Sequence, residues 1–222
     1  MKITRNMVGL VAVGALAFAL GRMTVLTDAT PAFAQQPSKD KPKASAAAQS
    51  DAPTDPKMQA WMEADQPGAN HKVLEPFIGT FKGEVNWAME PGAPMMKSTG
   101  TITRESIFHG RYITESVEAT SDMGAFHGLG CMAFNNIDGV YEFAWIDDHS
   151  TGIHTGKGTF NPKTKTFTFL STHRDPVTGH IQPVRETIDI SNPDRHVSVG
   201  YAIGDDGVEY KNFEGVFERV KE

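Results

Sequence analysis

The sequence predicts an all-β chain: an up-and-down antiparallel barrel of about ten strands with a short N-terminal helix. Three observations predict it. Helical periodicity occurs only near residues 57–75, ahead of the β-rich part. Beyond it, ten short runs rich in β-branched and aromatic residues follow one another, each closed by turn residues. The connections are short, so neighbours in sequence pair antiparallel, and closing the set on itself removes two exposed edges. A two-sheet sandwich is the alternative arrangement. No strand set shows the continuous apolar band of a membrane barrel.

Residues 1–34 read as an export signal. Lys2 and Arg5 precede a short apolar stretch, and Ala32-Phe33-Ala34 offers a small-residue cleavage site before Gln35. The stretch is short against the ~20 residues of a membrane span. A segment that stays uncleaved as an N-terminal anchor is the competing reading. Residues 35–56 are Pro, Ser, Ala, Lys and Asp with almost no apolar bulk, a linker. The folded domain is expected over 57–222, in an exported protein, periplasmic or secreted.

Within that domain Met58, Trp61 and Met62 fall at i, i+3 and i+4, one face of a helix that Pro67-Gly68 ends. A further helical turn fits 69–75. The strands follow at 77–89, 97–108, 111–119, 125–135, 140–147, 153–160, 166–174, 181–190, 196–203 and 209–220. Between them stand Glu90-Pro91-Gly92, Asn136 to Gly139, Asn161-Pro162, Asp175-Pro176, Asn192-Pro193-Asp194 and Asp205-Asp206-Gly207.

Registers can be tested against one another. A four-residue loop at 136–139 pairs Asn135 with Val140, which sets Phe134 beside Tyr141, Met132 beside Phe143, Gly130 beside Trp145 and Gly128 beside Asp147. A six-residue loop at 148–153 then sets Asp147 beside His154, Trp145 beside Gly156 and Phe143 beside Gly158. Glycine on both sides of Trp145 leaves room for a flat indole. The opposite face carries Glu142, Asp148, Lys157 and Thr159, so the aromatic face is the inner one. A turn at Lys163-Thr164 adds Phe160 beside Phe167, Gly158 beside Phe169 and His154 beside His173.

Composition bounds the function. A formal net charge of -6, more acidic still once the signal is removed, does not suit nucleic-acid binding. The single cysteine, Cys131, excludes an intrachain disulfide framework. Hydrolase, zinc-protease, dinucleotide and P-loop motifs are missing from the sequence. What remains is an inward aromatic lining of Met132, Tyr141, Phe143, Trp145, Phe167 and Phe169, with Asp147, His154, His173 and Arg185 as polar anchors. That pattern suits a small hydrophobic or amphipathic molecule, with no membrane partner unless the N-terminal segment stays uncleaved. Asp147, His154 and His173 also suit a two-His-one-carboxylate metal set or an acid–base pair. Equally, Asp147 can simply hold the following turn. Arg104 and Arg185, both mid-strand, are candidate forks for a carboxylate, or partners of Glu105 and Glu186. No residue is assigned as catalytic or as a metal ligand, and no cofactor is named.

From about residue 58 to 219 the sequence resembles the domain-of-unknown-function family numbered 1579, within the wider lipocalin-like, calycin-type barrels. Trp61, Pro67-Gly68, His71 and Leu74, Gly79-Thr80-Phe81, Gly110-Arg111, Gly128, Gly130, Trp145, Asp147, Ser150-Thr151, Gly158, Arg185, Gly207, Glu209, Lys211 and Arg219 carry the resemblance. It implies a small barrel with an internal pocket and supplies no reaction. Phe81 stands where such barrels usually place a Trp.

Overall fold

The computed structural model describes residues 55–88, 90–121, 123–176, 178–204 and 206–221. The signal reading of 1–34 and all but the last two residues of the 35–56 linker lie outside these. Helix α1 (Pro56–Asp65) is followed by a single turn, α2 (Ala69–Lys72), and by a 3-10 turn at Glu75–Phe77. Gly68 donates its N–H to His71 Nδ1 at 3.0 Å, so His71 caps the start of α2.

Ten strands follow: β1 (Gly79–Trp87), β2 (Met96–Ile107), β3 (Tyr112–Ser121), β4 (Gly124–Asn135), β5 (Val140–Asp147), β6 (His154–Asn161), β7 (Thr166–Arg174), β8 (Ile181–Asn192), β9 (Arg195–Ile203) and β10 (Glu209–Arg219). Each pairs antiparallel with the next, and β10 pairs with β1, giving a closed barrel. This is the fold the sequence predicts.

The β4–β5 register is as expected, from Asn135 opposite Val140 to Gly128 opposite Asp147. The β5–β6 register is not. Trp145 pairs with His154, Phe143 with Gly156 and Tyr141 with Gly158. Asp147 therefore does not stand beside His154. The connection is longer than the expected 148–153: His149 N–H donates to Asp147 Oδ1 at 3.0 Å within it, and Asp148 stays on β4, its Oδ1 accepting the His127 N–H at 3.0 Å. The slip is two residues, so every side chain keeps its face. Its consequence is local. The ring packed over Gly156 is that of Phe143 and not of Trp145. The β6–β7 register runs as expected, with Phe160 opposite Phe167 and Gly158 opposite Phe169.

The barrel has a packed end and a hollow end. At the packed end Leu74 and Phe77 sit among Ile113, Tyr141, Phe167, Phe169 and Ile190. Tyr141 and Phe167 meet edge to face at 4.9 Å, and the Tyr141 hydroxyl donates to Asn70 O at 3.0 Å. Arg219 fastens this end. It donates to Ile78 O (2.6 Å), Pro76 O (2.7 Å), Pro193 O (2.9 Å) and Asp194 Oδ1 (2.9 Å), with Cζ 4.5 Å from the Phe81 ring centre.

Arg219→Ala is expected to destabilise the domain by about 3 kcal/mol, since it leaves several half-buried carbonyls without a charged donor. Gly158→Val should cost about 1–3 kcal/mol, because a Cβ there would come to 2.5 Å from both the Phe169 ring and Thr168 O. Urea unfolding followed by Trp fluorescence measures both, and a variant within error of wild type would contradict its half of the statement.

Candidate functional site

Toward the hollow end the strands enclose a cavity of about 150 Å³. Its walls are aromatic and aliphatic: Val85 and Trp87 from β1, Phe126 and Met132 from β4, Phe143 and Trp145 from β5, Phe213 and Phe217 from β10. Its floor is polar, made by Arg104 on β2, Glu115 on β3, Glu186 on β8, and His196 and Ser198 on β9.

The alternation of the strands puts these residues inside. Gly130 packs against Trp145 on the inner face and pairs with Glu115, which pairs in turn with Arg104. Phe169 pairs with Glu186, and Ile188 pairs with Ser198. Buried charges need partners. Arg104, 8% exposed, holds Glu115 Oε2 through Nε, and its Cζ lies 5.2 Å from the Phe77 ring centre and 5.6 Å from that of Phe81. Its Nη1 is buried without a hydrogen-bond partner.

Among the described residues no basic side chain is bonded to Glu186, although the Arg104 charge acts on it. Ser198 Oγ donates to its Oε1. Burial pushes the Glu186 carboxyl up to about 7 against that hydrogen bond, and the Glu115 charge adds to the rise. His196 is 1% exposed, with ring centroids 5.2 Å from Phe77 and 4.7 Å from Phe81. Burial lowers its pKa to about 4, and the charges of Arg104 and Arg219 act in the same direction. The floor thus carries a tight ion pair, a carboxyl that titrates near neutrality and an imidazole that stays neutral.

At the mouth His149 borders the cavity and meets the Phe126 ring at 5.2 Å. Asp148 joins it to the rim, 2.9 Å from His127 Nδ1 and 3.8 Å from His149 Nε2.

Of the residues expected from sequence, Met132, Phe143, Trp145 and Phe169 border the cavity. Tyr141 and Phe167 point inward but are consumed in the packed end. The polar anchors are placed differently from expectation. Asp147 Oδ2 accepts the Trp145 indole N–H at 2.8 Å and Oδ1 accepts the His149 N–H, so this carboxylate orients a wall residue and a loop. His173 is half-buried, its Nδ1 has no partner, and burial followed by the nearby His154 lowers its pKa. Neither histidine borders the cavity. Among the described residues no three His, Cys, Asp or Glu side chains converge as a metal set, which removes the geometric basis for a rim metal of Asp147, His154 and His173.

Arg185 is outside. It forms a bidentate pair with Glu209 (3.0 and 2.7 Å) and stacks 4.0 Å over the Tyr201 ring. The reason is parity: Arg185 pairs with Leu170, which is 61% exposed, whereas Glu186 pairs with the inward Phe169. Arg104 is the inward arginine, and its partner is Glu115 rather than Glu105 or Glu186. Sequence reasoning missed Glu115, Glu186, His196 and Ser198. Carrying the register one strand further, from Phe169 across to β8, would have found Glu186.

Residues 66–219 match the family described as "Protein of unknown function (DUF1579)". The chain belongs to that family. No curated protein resembles the chain closely enough to count as a match. The S-type phycobiliprotein lyase CPES of Guillardia theta is similar over 73% of this chain and 97% of its own, at 13% identity and a TM-score of 0.51. Rv2717c of M. tuberculosis is similar over 70% of this chain and 100% of its own, at 12% identity and a TM-score of 0.49. For this DUF1579 member, the likeness to the lyase concerns the barrel alone.

The raised Glu186 carboxyl makes stability depend on pH. The folded state keeps this proton above pH 4.5, where the unfolded chain has lost it, so the contribution of Glu186 to stability falls as pH rises from about 4.5 through 7. His196 acts in the opposite sense and weakens the fold as pH falls from 6.5 toward 4. Glu186→Gln should therefore gain about 3 kcal/mol over wild type between about pH 5 and about pH 8. Equal stability differences at both pH values, read by urea unfolding, would show that Glu186 does not titrate this way.

Proposed function

We propose that this protein is an exported barrel that binds a small, mostly apolar molecule in its interior cavity. The observation that carries the reading is the cavity itself: aromatic walls over a short polar floor, the usual composition of a ligand site. A void of this kind is costly. At ~24 cal/mol per Å³, about 150 Å³ of unfilled space costs about 3–4 kcal/mol. Cavities of similar volume with apolar walls admit a single-ring aromatic. Export rests on the basic start, the short apolar stretch and the Ala32-x-Ala34 site.

Trp87 and Trp145 border the space and report its occupation. Single-ring aromatics are expected to change the Trp fluorescence of the full chain and to bind at about millimolar affinity or tighter. Val117→Trp should abolish this binding while leaving the far-UV circular dichroism unchanged, because Val117 is a buried cavity-wall residue and an indole there fills the void. Undiminished binding to this variant would place the ligand elsewhere. For export, the intact mass of protein from the native host should begin at Gln35 or its cyclised form, and a chain retaining Lys2 in the membrane fraction would speak for the anchor.

A further inference from the structure

Resting on that ligand-binding reading, we infer that the ligand's polar end is a carboxylate, held at the cavity floor by Arg104 together with the neutral, proton-bearing form of Glu186, so that capture of the ligand and the proton on Glu186 are coupled.

The unmet group at the floor points to an acceptor oxygen. Arg104 is 8% exposed and commits Nε to Glu115, while Nη1 is buried with no partner on a residue that borders the cavity. An unmet guanidinium N–H is costly, and an oxygen from the ligand relieves that cost with a charge-assisted bond. His196, 1% exposed, also borders the cavity and is held neutral by burial. A ligand ammonium has no acceptor to offer and would leave Nη1 unmet.

Charge balance then assigns the role of Glu186. Arg104 and Glu115 cancel. A ligand carboxylate beside an ionised Glu186 would put two uncompensated negative charges on an otherwise apolar cavity, which is strongly unfavourable. With its proton, Glu186 adds no charge and becomes a donor to the ligand. The ionisable groups facing it are Arg104 from β2, Glu115 from β3 and His196 from β9. Cys131 on β4 and His149 at the mouth are the other ionisable groups on the cavity lining; β1, β5, β7 and β10 contribute none. Burial makes Glu186 titrate at about 7, whereas His196 titrates at about 4 and is silent near neutrality. Below pH 7 the carboxyl is already neutral and capture needs no proton from solvent. Above pH 7 each ligand bound takes up one proton, and affinity falls toward tenfold per pH unit.

Isothermal titration of the full chain with benzoate, benzamide, benzylamine and toluene, at about pH 6 and about pH 8.5, tests this. Benzoate is expected to bind better than benzamide at pH 6 and to weaken about thirtyfold by pH 8.5. The enthalpy at the higher pH should vary with buffer ionisation as uptake of one proton requires. Glu186→Gln, which keeps shape and loses charge, should bind benzoate equally at both pH values. Arg104→Met should lose the preference for benzoate over benzamide and retain toluene. Should that variant fail to fold, Glu186→Gln and the buffer dependence decide alone. The inference is overturned if benzamide equals benzoate, if the pH dependence survives in Glu186→Gln, or if benzylamine is preferred and tightens with rising pH. Toluene separates this inference from the reading beneath it: toluene bound and benzoate refused removes only the carboxylate, whereas refusal of toluene and benzoate alike removes the cavity as a binding site and the carboxylate with it.

Discussion

Closure of the sheet, β1 against β10, is the constraint on which the rest of the molecule depends. Ten antiparallel strands left open would expose two edges, and a closed set exposes none. The joint is made by Arg219, the last residue of β10. One guanidinium reaches the carbonyls of Pro76 and Ile78, the carbonyl of Pro193 and the carboxylate of Asp194, and it lies over Phe81. It therefore ties the segment leading into the first strand, the first strand itself, the β8–β9 turn and the end of the last strand. Phe81 in the usual Trp position does not loosen this joint, since the ring still receives the cation on its face.

Closure fixes an inside, and the inside is divided by side-chain size. Below, Leu74, Phe77, Tyr141, Phe167 and Phe169 fill the section with interlocking rings. Above, glycine replaces side chains at inward positions, and rings turn into the space. Gly130 lies under Trp145 and Gly156 under Phe143. Large residues over vacated positions hold the rings flat against the wall, which is how a barrel of this girth keeps a hollow centre with so many aromatic residues in it.

Much of this was legible in the sequence because a strand has period two. Every strand was found within a few residues of its ends, and the inner face was fixed by Tyr141, Phe143 and Trp145 against their glycine neighbours. The β5–β6 register slipped by two because loop length cannot be read where side chains bind backbone, as Asp147 binds the loop at His149 and Asp148 binds β4 at His127. That slip preserved the aromatic wall and dissolved the Asp147–His154–His173 rim. The polar floor escaped for another reason. Adjacent Arg185 and Glu186 are equally polar in sequence, and only the pairing of Phe169 with Glu186 says which one faces in.

The division into a packed end and a hollow end also separates stability from recognition. An apolar floor would serve folding better, because a buried ion pair seldom repays its desolvation. Here a guanidinium, two carboxyls and an imidazole share a small volume, one carboxyl displaced toward neutrality and the imidazole held neutral. Closure does not require such groups, since the Arg219 joint already binds the first strand to the last. Their cost is carried by the ring cluster below them: Phe77 touches Phe167 at 5.5 Å and His196 at 5.2 Å, with Arg104 lying 5.2 Å over it. The same ring is thus the ceiling of the packed end and the underside of the polar floor.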